Sequence, residues 1–302
     1  MTPTVPAVLE GPRRFCHREF PAETLVAAKK TTTVSVCLPA RDEATTIGPI
    51  IEIIKADLAE KVHLVDEIIV VDDRSADTTA AVAAAAGATV VSVTVPAGSP
   101  SGKGAAMATA LAESRGELLV FLDADIECFS SHFVAGLLGP LLYDHSICFV
   151  KATYQRRLAG KPGEGGRVTE LVAKPLLALL HPDLACFTQP LAGEVAFRRS
   201  VVEDLSLPSD YGIDVAMLID VARRTGLGAM AEVDLAERRH RNRPLIELAP
   251  QARSVARIIL ERAGIDTDMS TTEEETALAS RYRTSPERRR AGMPAMGGPE
   301  HG

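Results

Sequence analysis

The sequence predicts an α/β protein built on a central, mostly parallel sheet flanked by helices. Three observations carry this. Between residues 33 and 123, apolar β-branched runs alternate with stretches of helical period, joined by short connections, which is the pattern of repeated strand–helix–strand units. Several of these strands end in Pro39, Asp72, Asp73, Asp123 and Asp125, at the carboxyl ends where an open parallel sheet gathers its ligands. With 302 residues, 46% of them hydrophobic, the chain can bury one large core, or one core plus a smaller unit.

Residues 1–32 lack sustained periodicity and are expected to form an N-terminal arm with at most a short helix. "TVSVCLPA" (33–40) reads as a buried strand broken by Pro39, and "TTIGPIIEIIKADLAE" (45–60) as a helix with a threonine to cap its start. "VDEIIVVDD" (65–73) is a second buried strand ending in acids. The charge-free stretch Thr78–Gly102 is long enough to imitate a membrane span. It changes at Gly87 from Ala-rich helix former to β-branched strand former, so helix 77–86, glycine stop and strand 88–95 describe it better. Helix 104–115 and strand 117–123 follow.

After residue 130 the alternation loosens. "SHFVAGLLGPLLY" and "VTELVAKPLLALL" read as helices with the strand "ICFVKATYQRR" between them, and 157–167 as a Gly-rich basic loop. A helix at 214–226, a strand at 229–242 ending in a basic knot and a helix near 247–264 complete the order. Beyond about residue 266 too little apolar content remains to pack, which predicts a partly disordered tail.

A net charge of −7 argues against nucleic acid or an anionic membrane as partner. Five cysteines, odd in number and without a C-x-x-C pair, read as small buried hydrophobes in a reducing, cytoplasmic setting. No leader peptide is expected, since the first thirty residues carry charges throughout.

Five constellations carry candidate chemistry. "LLVFLDADIE" (118–127) ends a buried strand in Asp123 and Asp125, which face one crevice if the strand persists. Two close carboxylates are tolerable mainly beside a divalent cation; for the motif in isolation a cap or solvated acids account for it better, and at the end of a buried parallel strand the metal does. "GKGAAM" places Lys103 between two glycines before an Ala-rich helix, either a small anion site or a flexible loop with an exposed lysine. "VVDDRSADTT" offers acids for a nucleoside, with Ser75 and Asp77 at cap positions. "GEGGRVTE" gathers N–H groups, the Arg167 guanidinium and the Thr169 hydroxyl at a helix start, suited to a phosphate or carboxylate; loop flexibility with Thr169 as cap accounts for it equally. In "ERRHRNRP", His240 stands among four arginines, and with Asn242 would complement the acidic strand ends around an anionic ligand.

Together "VCLPARDEATTI", "EIIVVDDRSADTT", "GKGAAM" and "FLDADIE" resemble the nucleotide-sugar-binding half of GT-A (Rossmann-like) glycosyltransferases. "GGRVTELVAKPLLALL", "QPLAGEVAFRR", "YGIDVAMLID" and "RRHRNRPL" make the chain similar, over 33–265, to the mycobacterial glucosyl-3-phosphoglycerate synthase family. The resemblance implies a nucleotide-sugar-binding half at 33–130, an acceptor-binding half at 131–245, a C-terminal helix at 246–265 and a tail at 266–302. It implies a retaining transfer of glucose from UDP-glucose to the 2-hydroxyl of 3-phosphoglycerate, dependent on Mg²⁺ or Mn²⁺, in the methylglucose lipopolysaccharide pathway, by a homodimer paired through its C-terminal region. Residue by residue, it implies that Pro39, Ala40, Glu43 and Ser75 hold the uridine, with Lys103 and Asp123 at the ribose and diphosphate. Asp125 and His240 would bind the metal. Gly166, Arg167, Val168, Thr169 and Asn242 would receive the acceptor. Tyr211 would line the sugar pocket, with Asp214, Glu194 and Lys103 as the catalytic groups.

Three positions depart from the family pattern: Asp42 stands where asparagine is usual, Asp214 where glutamate is, and the metal motif reads Asp-Ala-Asp. Rival readings are a same-fold transferase using GDP-mannose and glycerate or a polyprenyl phosphate, a sugar-phosphate nucleotidyltransferase, and a catalytically silent nucleotide-sugar binder.

Overall fold

The computed structural model describes residues 11–94, 102–158, 161–162, 166–239 and 245–267. In chain order its elements are β1 (Arg13–Cys16), α1 (Ala22–Lys29), β2 (Val34–Ala40), α2 (Ile47–Ile53, extended by a wider-pitched segment Ile54–Lys61), β3 (Glu67–Asp72), α3 (Thr79–Ala86), β4 (Thr89–Ser92), α4 (Lys103–Glu113), β5 (Leu118–Phe121), α5 (His132–Tyr143) and β6 (Phe149–Leu158). There follow β7 (Lys161–Pro162), α6 (Lys174–Leu180, entered through the wide turn Thr169–Ala173), β8 (Val195–Arg198), α7 (Arg199–Val202), α8 (Ile213–Thr225), β9 (Met230–Arg238) and α9 (Leu245–Arg262). All of these belong to one compact unit, Met1–Ile265.

The sheet runs β1-β9-β6-β8-β5-β2-β3-β4, with β7 paired to β6. Every neighbouring pair along that order is parallel except the two made by β8, which runs antiparallel to both β5 and β6. The chain winds from β2 outward to β3 and β4, then returns to place β5 on the other side of β2. That reversal opens a crevice at the carboxyl ends of β2 and β5.

Strand periodicity divides the core into two faces. Val34, Val36 and Leu38 of β2, Ile68 and Val70 of β3 and Leu118 and Val120 of β5 pack with Ile47, Ile50, Ile51 and Ile54 of α2 and with Phe133 and Leu137 of α5. The alternate residues Cys37, Ile69, Val71, Leu119 and Phe121 join Met107 of α4, Ile213 and Met217 of α8 and Ile258 of α9 on the other face. Across the antiparallel insertion, the Phe149, Phe197 and Phe121 rings stack at centroid distances of 6.2 and 5.6 Å. Burial on both faces explains why these strands read as continuous apolar runs.

Three expectations are corrected. Residues 13–29 are not an arm: β1 pairs in register with β9, Arg13 opposite Ala231 and Cys16 opposite Asp234, satisfying the backbone groups of what would be an open edge. Phe20 behind it is 6% exposed and belongs to the core. Strand β8 was not foreseen, because four residues are too few to show a period, and only its position between two strands makes it one. The hydroxyl of Thr46 does not cap α2; it donates to the Ala124 carbonyl at 2.6 Å. The Ala-rich stretch does divide as read, with Gly87 closing α3 at φ 103° ahead of β4. The expected tail falls outside the described residues beyond Thr267.

Candidate active site

The crevice is a cleft lined by Pro39 and Ala40 at the end of β2, Arg41 and Glu43 just after it, Asp73 after β3, Lys103 and Ala106 on α4, and Asp123–Asp125 after β5. Gly166–Thr169, Leu191, Tyr211, Asp214, Arg238, Leu248 and Gln251 complete it. Two otherwise distant halves of the sequence thus meet in one cavity.

Strand β5 ends at Phe121, so strand alternation is not what aims Asp123 and Asp125. Ala124 between them is 3% exposed, and its carbonyl is held by Thr46, which turns both neighbouring carboxylates to the cleft. There Arg238 Nη2 donates to Asp123 Oδ2 at 2.7 Å and to Asp125 Oδ1 at 3.0 Å, while its Nε is in ionic contact with Glu194 Oε1 at 2.7 Å. The guanidinium also lies 5.4 Å from the Tyr154 ring centroid. Burial alone would lower the Arg238 pKa, but Glu194, Tyr154, Asp123 and Asp125 outweigh it and hold the charge on firmly.

Lys103 is neither flexible nor exposed. Its ammonium bridges Asp123 Oδ1 at 2.9 Å and Asp214 Oδ2 at 3.0 Å. Here too burial, which lowers a lysine, is overcome by Asp123 and Asp214, and the pKa is raised. The helix start beside it is not an anion site: Gly104 N–H donates to the Asp210 carbonyl at 3.2 Å and Ala105 N–H to that of Ser209 at 3.0 Å. A Cβ on Gly104 would fall inside the Pro208 carbonyl, so this glycine serves close backbone approach. The contact brings the 208–211 segment, and with it Tyr211 and Asp214, over Lys103.

On the nucleotide side, Pro39, Ala40 and Glu43 lie on the cleft wall, but Ser75 does not. Its hydroxyl accepts the Asp42 N–H at 3.0 Å, and Asp42 Oδ1 accepts the Ala76 N–H at 2.7 Å, so Ser75 and Asp42 pin two loops together. Asp42 sits at φ 56°, a left-handed conformation that aspartate tolerates as asparagine does, so this departure costs nothing locally. Asp77 caps α3 through the Thr79 N–H at 2.9 Å, and its pKa is lowered, first by the Thr79 hydroxyl. Asp73 reaches the cleft instead, 6% exposed, with Arg74 at 3.4 Å and Arg41 at 3.8 Å.

On the other side, Gly166 stands at φ 78° and its carbonyl accepts the Glu170 N–H at 3.0 Å, so helical bonding starts there and Thr169 is not the cap. Val168 and Thr169 are 8% and 2% exposed, leaving the Arg167 guanidinium and the first N–H groups of the helix as the cleft-facing donors. Glu194, fully buried, stands behind the cleft against Arg238. The expected metal ligand His240 and acceptor ligand Asn242 lie outside the described residues.

Several cleft residues were not singled out from sequence. Arg238 was hidden in a run of four arginines. Leu248 and Gln251 come from α9, which is tied to Asp210 by Arg257 at 2.8 Å. The sequence pointed to a helix near 247–264 and not to its place in the cleft.

Among the described residues no group of three or more His, Cys, Asp and Glu side chains is placed to hold a metal ion. The described half of the expected site nevertheless fits a hard divalent cation. Asp125 is a carboxylate with 28% exposure facing the cleft, in a cluster where Asp123, Asp125, Asp214 and Glu194 outnumber Lys103, Arg238 and the buried Lys151.

An acid pair at the carboxyl edge of a wound sheet, facing basic groups and a helix start across one cleft, defines a glycosyltransferase of GT-A fold. The model of glycosyl transferase family 2 matches residues 35–180. The chain belongs to the glucosyl-3-phosphoglycerate synthase family: it is 45% identical over 254 residues to the synthase of Mycolicibacterium paratuberculosis, covering 80% of this chain and 75% of that one. It is 40% identical to the synthase of Petrotoga mobilis, covering 83% and 80%. The Mycobacterium tuberculosis synthase solved with Mn²⁺, UDP-glucose and phosphoglyceric acid superposes with a TM-score of 0.78 at 42% identity, over 85% of this chain and 89% of that one. The same enzyme has been solved with Mn²⁺, UDP and glucosyl-3-phosphoglycerate.

Proposed function

We propose that this protein transfers glucose from UDP-glucose to 3-phosphoglycerate, giving glucosyl-3-phosphoglycerate and UDP, with Mg²⁺ or Mn²⁺ as cofactor. The observation that carries the reading is the single cleft that joins Pro39, Ala40 and Glu43 to Gly166–Thr169 across Lys103, Asp123 and Asp125. A donor and a small anionic acceptor then meet over the acid pair.

In this reading the uridine lies against the Pro39–Glu43 loop and Asp73, and the acceptor phosphate or carboxylate on Arg167 and the adjoining N–H groups. Asp125 and His240 would hold the divalent cation, which when bound would supply Lewis acidity to the diphosphate leaving group. Lys103 and Arg238 add fixed positive charge where negative charge grows. Asp214 keeps one carboxylate oxygen on Lys103 and has the other, Oδ1, buried without a hydrogen-bond partner among the described residues, ready to accept a sugar hydroxyl. The acceptor 2-hydroxyl attacks the anomeric carbon as the carbon–oxygen bond to the diphosphate breaks, and its proton passes to the departing phosphate oxygen. Attack on the face the diphosphate leaves retains the α-configuration.

Three further elements are part of the proposal. A cytoplasmic location is supported by five free cysteines and by the absence, among the described residues, of a helix long and apolar enough to cross a membrane. A homodimer and a role in methylglucose lipopolysaccharide synthesis rest on the family resemblance alone. The test is UDP release with and without 3-phosphoglycerate, followed by product mass and anomeric configuration. Acceptor-independent release alone, or a β-linked product, refutes the reading.

A further inference from the structure

Lys151 has no part in the chemistry outlined above, yet it is a lysine buried to 0% exposure in the middle of β6. It shares a strand face with Phe149, which would suit an apolar residue; a methionine of similar length would fill the space without the cost of burying an ammonium. That cost is visible: burial pulls the Lys151 pKa down to about 8 despite the opposing pull of Asp214, Glu194 and Asp123.

What the ammonium touches gives it a use. Nζ donates to the Ala192 carbonyl at 2.9 Å. Ala192 lies in a turn closed by its own N–H to the Gln189 carbonyl at 3.0 Å, between Leu191, which lines the cleft, and Gly193. Gly193 packs so tightly on Asp123 and the Lys103 ammonium that an added Cβ would collide with both. The segment is pinned at three points. Glu232 accepts the Thr188 N–H at 2.6 Å, the Glu194 carbonyl accepts the Ala152 N–H at 3.0 Å, and between them the Lys151 ammonium supplies the hydrogen bond that ties the middle of the segment to β6. Of the three cations in the cluster, Lys103 and Arg238 line the cleft, whereas Lys151, 0% exposed, stands behind it.

Resting on the reading given under Proposed function, we propose that Lys151 is a positioning residue. Its ammonium fixes the Leu191–Gly193 turn beneath the donor sugar and keeps a positive charge behind Asp214 and Glu194.

The test compares wild type with Lys151→Met and Lys151→Gln in three measurements. These are calorimetric affinity for UDP and for UDP-glucose with Mn²⁺, acceptor-dependent turnover, and the share of UDP-glucose hydrolysed to free glucose. Lys151→Met is expected to fold and to bind UDP within about twofold of wild type. It should lose the extra affinity the glucose confers, lose about tenfold or more in kcat, and divert a larger share of donor to hydrolysis, as a displaced floor misplaces the reacting carbon. Lys151→Gln, which keeps a donor without the charge, is expected to fall between. An unchanged UDP-glucose to UDP affinity ratio with unchanged kcat overturns the assignment. So does failure of both variants to fold, or a loss of UDP affinity equal to the loss of turnover, either of which makes Lys151 a stability element. A wild-type protein without acceptor-dependent UDP release refutes the glucosyl-transfer reading instead, and the affinity ratio still decides on Lys151.

Discussion

Replacing Arg238 by methionine keeps most of the side-chain volume and deletes one charge from the cluster. Arg238 is 3% exposed and Glu194, its partner at 2.7 Å, is 0% exposed, so the substitution leaves a carboxylate sealed in the protein without its close cation. Breaking a buried pair from one side costs about 3–5 kcal/mol. Asp123 and Asp125, at 26% and 28% side-chain exposure, are partly hydrated and add less. The single variant is therefore expected to lose about 3–5 kcal/mol in urea unfolding followed by circular dichroism. The double variant Arg238→Met/Glu194→Gln, which removes both charges, should recover to within about 1–2 kcal/mol of wild type, because replacing a whole buried pair is often near neutral. A single variant that loses under about 1 kcal/mol, or a double variant no better than the single, refutes the claim that Glu194 depends on Arg238 for its charge.

Gly104→Ala should cost about 1–3 kcal/mol in the same assay and lower turnover, since its methyl group would collide with the Pro208 carbonyl and push Tyr211 and Asp214 off Lys103. Burial, then Glu67, push the Cys37 thiol up to about 12 from an ordinary value of 9.0. The folded state thus holds its proton longer than the unfolded state: the contribution of Cys37 to stability is complete below pH 9 and declines as pH rises from there towards 12, which denaturation midpoints across that window should show. At pH 8, iodoacetamide should label the exposed Cys128 in the native protein and reach Cys37 only after unfolding. Asp125→Ala and His240→Ala should each abolish metal-dependent turnover while leaving the circular dichroism spectrum unchanged; full activity in both removes the metal assignment.

Much of the fold was legible in the sequence because burial on both faces of a parallel sheet writes a strong signal: unbroken apolar runs such as "VDEIIVVDD", separated by helices whose isoleucines recur at 47, 50, 51 and 54. The same logic located the acids, since a polar residue at the end of such a run has no structural reason to be there. β1 and β8 were not legible. Each is four residues long, and each is a strand only because a neighbour's backbone needs a partner. In the site, the residue types were readable and their pairings were not.

By itself, then, the sequence determined the strand–helix alternation from β2 to β5, the chemistry present at the carboxyl ends of these strands and the family resemblance, all of which depend on local pattern and chain order. Tertiary structure alone decided that Arg238 sits between Asp123, Asp125 and Glu194, that Lys103 reaches Asp214, 111 positions away, while also holding Asp123, and that the Ser75 hydroxyl accepts the Asp42 N–H and fastens two loops. Charge pairing depends on which side chains the packing brings within about 3 Å, and the dielectric that sets its strength exists only once the core has closed.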